Sequence, residues 1–140
     1  MSRWTISWRL LFRVKTQIKA RRMIEKVRQA FGRDLEMTTD ERYWKDRNLW
    51  EYSFWVLGAH GSAAEVVFDC LVLAARLGNG WYILGLDARR GPESMSGVFE
   101  EHQGGKPCII GLEWASFDLI PTRTEHSPCS SPNQLPEGRA

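Results

Sequence analysis

The residues best suited to chemistry are few and scattered. The chain holds three histidines, His60, His102 and His126. His60 lies in Gly58-Ala59-His60-Gly61-Ser62, immediately before an apolar run in which Ser62 and Glu65 have the capping-box spacing of a helix start. Backbone N–H groups and the helix dipole favour an anion at such a start. This stretch is therefore a candidate phosphate or carboxylate site, although it lacks the lysine and glycine spacing of a P-loop. A loop ending in a Ser cap is its ordinary meaning. Asp69 would serve as a general base if burial raised its pKa; an Asp that faces outward or is hydrogen-bonded is the plainer reading. Cys70, Cys108 and Cys129 show neither a disulfide framework nor metal-ligand spacing. No Gly-x-Ser-x-Gly, His-Glu-x-x-His or Cys-x-x-Cys motif occurs. No catalytic set, metal site or cofactor is indicated, and the chain reads as a binding protein rather than an enzyme.

The chemistry that remains is that of charge and aromatic surface. Net charge is +2, unevenly distributed: residues 1–33 carry ten Lys/Arg and one acid, Glu25, and the rest carries nine Lys/Arg against sixteen acids. Lys15, Lys19, Arg22 and Lys26 fall on one face of a predicted helix. Such a stripe suits phosphates or an anionic membrane surface, and more often is simply a solvated face. No aromatic residue stands among these four to stack on bases, which weighs against nucleic acid. The acidic part includes Asp40, Glu41, Glu93, Glu100 and Glu101, which would complement a basic partner. Tyr43, Trp44 and Trp50 are the aromatics expected to be wetter, and Tyr and Trp are common interface anchors.

Periodicity supplies the elements that position these groups. Trp4, Ile6, Trp8, Leu10 and Phe12 alternate with more polar residues and predict a strand with one buried face. Ala20, Met23, Ile24, Val27, Ala30 and Phe31 recur at helical spacing from about Lys15, with Gly32 as a stop. Leu35 to Lys45 reads as a weak edge strand and Asp46-Arg47-Asn48 as a hairpin turn. Leu49 to Gly58 is a strong aromatic strand. The run from Ser62 to Leu77 is apolar almost all round and predicts a largely buried helix, stopped by Gly78 in the left-handed conformation. Trp81 to Asp87 reads as an interior strand, Ala88 to Pro107 as a loop of functional length, and Cys108 to Ile120 as a last strand with a bulge at Gly111. Residues 121–140 have the Pro/Ser composition of a disordered tail.

The predicted organisation is one α+β domain over residues 1–120, with two helices on one face of an antiparallel sheet of about five strands. Its order, β-α-β-β-α-β plus a C-terminal strand, is that of the ferredoxin-like sandwich; the competing layout is a different α+β fold with a five-stranded sheet. RNA-recognition domains share that layout, but Arg47-Asn48-Leu49-Trp50-Glu51-Tyr52-Ser53-Phe54 lacks the glycine of their third strand and carries Glu51. Ser7 and Arg9 fall on the open face with no stacking aromatic. The charged N-terminus is not a signal peptide, and the cysteine usage fits a reducing, cytoplasmic setting. A short, Trp-rich α+β chain of this texture, from Trp4 to Ile120, resembles the immunity proteins of bacterial contact-dependent and polymorphic toxin systems. The resemblance implies a protein that binds one cognate toxin and occludes its active site; it carries over no functional residue. Many such proteins are acidic, whereas this chain is slightly basic. Homodimerisation through a sheet edge is also open.

Overall fold

A computed structural model of the chain describes residues 4–58, 61–87, 89, 91 and 94–121. The first strand, β1 (Trp4–Arg13), buries every second side chain as its alternation predicts: Trp4, Ile6, Trp8, Leu10 and Phe12 all point into one core. Helix α1 (Gln17–Phe31) begins where the Thr16 hydroxyl accepts from the Lys19 N–H at 3.2 Å. It ends where Gly32, at φ 65°, turns the chain and donates its N–H to the Arg28 carbonyl at 2.9 Å. Its apolar stripe, Ala20, Ile24, Val27 and Phe31, is buried.

Strand β2 (Glu36–Arg42) lies at the sheet edge and pairs with β3 (Leu49–Leu57). The connecting turn is closed by the Asn48 N–H on Asp46 Oδ1 at 2.9 Å, the Asx chemistry that its sequence announces. Helix α2 (Ala63–Leu77) carries the complete capping box: Glu65 N–H to Ser62 Oγ at 3.2 Å and Ser62 N–H to Glu65 Oε1 at 2.8 Å. The Arg33 guanidinium clamps the Asp69 carboxylate, one arm at 2.8 Å, and so ties the exit of α1 to the middle of α2. The plainer reading of Asp69 therefore holds.

Three expectations need correction. Gly78 does not adopt the left-handed conformation; its φ is 172°, because the chain runs straight from α2 into β4 (Gly78–Asn79), paired with β7 (Lys106–Pro107). Space rather than handedness excludes a side chain there, since a Cβ would come 2.7 Å from the Phe99 ring and 2.9 Å from the Lys106 carbonyl oxygen. Nor is the Trp81–Asp87 segment an interior strand. Only β5 (Tyr82–Leu84) forms, at the far edge, with Tyr82 and Leu84 each 54% exposed. The presumed loop supplies β6 (Ser96–Glu100), and the place beside β1 goes to β8 (Leu112–Pro121). The third correction concerns α2, whose outward side is not buried: Phe68 is 69% exposed.

Among the described residues the main sheet thus has six strands in the order β2-β3-β1-β8-β6-β5, every neighbouring pair antiparallel. Both helices pack on one face, against Trp8, Phe12, Tyr52, Phe54, Phe99 and Phe117. Trp8 is the hub, with ring centroids 5.0 Å from Phe31, 5.2 Å from Phe117 and 6.0 Å from Trp81. Among the described residues, no helix is long and apolar enough to cross a membrane.

Candidate functional site

Among the described residues neither α1 nor α2 covers the opposite face of the sheet, and period-two geometry decides what stands on it. The register aligns Val98, Ser116, Arg9, Ser53 and Thr39 in one row across it, and Glu100, Trp114, Leu11, Glu51 and Glu41 in the next. Arg9 stands at the centre. Its Nε donates to Glu51 Oε2 at 2.7 Å, and its guanidinium carbon lies 5.4 Å from the Tyr43 ring centre and 5.3 Å from that of Trp114. The cation is thus held between two aromatic rings, each contact favourable through the ring quadrupole. Burial works against its charge, but the bonds to Glu51 and Tyr43 outweigh burial and hold the guanidinium protonated.

Beside this clamp, β8 bulges. Phe12 pairs with Leu112 while Leu11 pairs with Trp114, leaving Glu113 as the extra residue. Glu113 accepts from Arg13 Nε and lies 3.3 Å from His102 Nε2. The Arg13 hydrogen bond, offset in part by burial, holds its carboxyl below the usual glutamate range. Arg9, Tyr43, Trp114, Glu113, His102 and Glu100 line an open hollow of about 350 Å³. The other half of the face is apolar and wet: Trp55 is 36% exposed, Leu57 and Ile120 each 47%.

The residues expected to bind a partner are partly gathered here. Tyr43 and Glu100 line the hollow, and the charge of Glu101 reaches Arg13. Glu41 is exposed, directly opposite Glu51. Trp44 is 75% exposed just past the end of β2, with Lys45 Nζ 5.1 Å from its ring centre. Trp50 is a correction: it is only 7% exposed, because its position on β3 faces the helix side. There it lies under the Arg42 guanidinium, 5.1 Å from its ring centre, and donates to Asp40 Oδ1 at 2.8 Å. Asp40 accordingly belongs to the same side and sits opposite Tyr52, whose hydroxyl is pushed up to about 12 by burial and by the Asp40 charge. Glu93 and His60, and with His60 the proposed anion loop, lie outside the described residues. Lys19, Arg22 and Lys26 are exposed on α1 and Lys15 just before its Thr16 cap, in the layer opposite the hollow.

Sequence reasoning placed Arg9 on the open face but found no aromatic near it. Trp114 comes from β8 and Tyr43 from just past the end of β2, and only the pairing of β1 with β8 reveals Trp114 as its neighbour. Glu51, Glu113, Arg13 and His102 were missed for the same reason. Among the described residues, no group of three or more His, Cys, Asp or Glu is placed to hold a metal ion. Compared with models of protein families, with curated proteins and with solved structures, the chain matches none.

Proposed function

We propose that this chain is a protein-binding module whose working surface is the uncovered sheet face, and that it acts as an immunity protein, occluding the active site of a cognate bacterial toxin. The observation that supports this reading is the Arg9 clamp. Arg, Tyr and Trp are the residue types that dominate interface energetics. Here strand register sets Arg9 beside Trp114, and the Tyr43 N–H bonded to the Leu49 carbonyl at 2.8 Å sets the second ring, beside an open hollow and next to exposed apolar side chains. Glu41, Glu100, Glu101 and Asp118 add acidity around the clamp, which would speed encounter with a basic partner. We read β2-β3-β1-β8 with the two helices as a ferredoxin-like unit, in which β8 takes the position expected of the strand after α2 and β5-β6 extend the edge. The cytoplasm is the setting this role requires.

The test is to purify a toxin domain encoded next to this gene and titrate it calorimetrically against the chain; a gene neighbourhood without one would also count against the reading. Trp114→Ala and the pair Glu100→Lys with Glu101→Lys should each weaken binding by about tenfold or more. Unchanged affinity in both variants would sink the reading.

A second reading has one observation in its favour. The exposed stripe Lys15, Lys19, Arg22, Lys26 suits nucleic acid, and predicts affinity that falls steeply with salt.

A further inference from the structure

The helix layer, on the far side of the sheet from the clamp, carries a second and different surface. The outward stripe of α2 is Ala64, Phe68, Leu71, Val72 and Ala75, with no polar residue along it. A solvent-facing helix side is normally polar. Phe68 is 69% exposed there, and two more large apolar side chains project from the same layer: Ile18 of α1 at 68% and Ile110, in the turn before β8, at 82%. Around them stand Lys15, Lys19, Arg22 and Lys26, all exposed. Lys15, Lys19 and Ile110 share the lining of one hollow of about 360 Å³ between α1 and the turn. The acids of this layer are largely engaged: Glu25 with Arg28, Asp69 with Arg33, and Glu65 in the Ser62 cap.

We propose that this layer docks the protein on an anionic lipid surface. The charge complementarity is direct, since basic side chains near such a surface are each attracted to it. The apolar residues choose among anionic partners. Nucleic acid would leave Phe68, Ile18 and Ile110 in water. They also stand on three separate elements rather than in one groove, so a flat, fluid partner can receive each tip singly while lysines snorkel to the headgroups. Attachment is peripheral, as neither helix is long and apolar enough to cross. The surface is distinct from the clamp face, which it leaves pointing away from the bilayer.

The experiment is co-sedimentation of the full chain with phosphatidylcholine vesicles, with and without phosphatidylserine. Binding should appear only with the anionic lipid. It should fall about tenfold in Phe68→Ser/Ile110→Ser, and again in Lys15→Gln/Lys19→Gln/Arg22→Gln/Lys26→Gln. All these residues are exposed, and an unchanged thermal midpoint confirms that each variant folds. No binding to anionic vesicles overturns the proposal. So does full retention by Phe68→Ser/Ile110→Ser, which would leave only charge attraction. Binding to a DNA or RNA oligonucleotide in the same buffer, without vesicle binding, assigns the stripe to nucleic acid and also overturns it.

Discussion

Arg9 donates from Nε to Glu51 Oε2 at 2.7 Å from the β1 side, while Glu41 stands directly opposite Glu51 on the β2 side. Like charges directly opposite destabilise a sheet, so Arg9 offsets a repulsion built into β2 and β3. Arg9→Ala should destabilise more than Glu51→Ala, because it leaves two carboxylates facing each other. The pair is part-exposed, so its coupling in a double-mutant cycle should be about 0.5–1 kcal/mol. Urea unfolding of the two single variants and the double variant measures it, and equal costs for the two single changes would contradict this account.

The Arg13–Glu113 contact predicts an acid-sensitive contribution. The Glu113 carboxyl titrates below its ordinary value because Arg13 donates to it. A group whose folded pKa is lowered stabilises above its unfolded pKa and loses that contribution as pH falls through the folded pKa. Glu113→Gln should therefore cost stability at neutral pH and flatten the acid limb of thermal midpoint against pH. Parallel curves for the variant and the parent below pH about 5 would exclude it.

Gly97 is required by volume. A Cβ at this position would collide with the Phe117 ring, itself fully buried beside Trp8. Gly97→Ala should cost about 1–3 kcal/mol by overpacking. Phe117→Leu, costly alone, should cost less in the Gly97→Ala background, and simple additivity would show that the ring is not what the methyl group meets.

The two described thiols should separate by reactivity. Cys70 is fully buried on α2, and burial, aided by the Asp69 charge, pushes its thiol well above the ordinary range. Cys108 is exposed. In a Cys129→Ser background, one thiol should react with a disulfide reagent at once and the other only at the rate of opening. Two fast thiols would show that α2 does not stay packed.

The elements legible in the sequence were those whose determinants are local. Ser62 and Glu65 announced α2 through a capping box that needs no other part of the chain, and β1 announced itself through strict alternation. The sheet interior was not legible on the Trp81 side. Tyr82, Ile83 and Leu84 form an apolar run that reads as interior, yet two of the three face water. Ser96 and Gly97 concealed a true strand, because glycine there serves Phe117 rather than strand propensity. The clamp was half-legible for the same reason: Arg9 could be placed on a face, but its rings belong to β8 and to the residue just past β2. Contacts set by long-range register leave no periodic trace in either partner.

The position of β8 carries a consequence for how the chain acquires its structure. Trp4 pairs with Pro121, at opposite ends of the described chain, and β6 with β5 reaches β1 only through β8. Until β8 inserts, β1, β3 and β2 form one incomplete sheet, and the later hairpin has no strand to join. Closing so long a loop loses chain entropy before any contact compensates, and topologies dominated by distant pairings fold slowly. Completion of the sheet waits on one late strand, which leaves the β1 edge open to mispairing in the newly made chain.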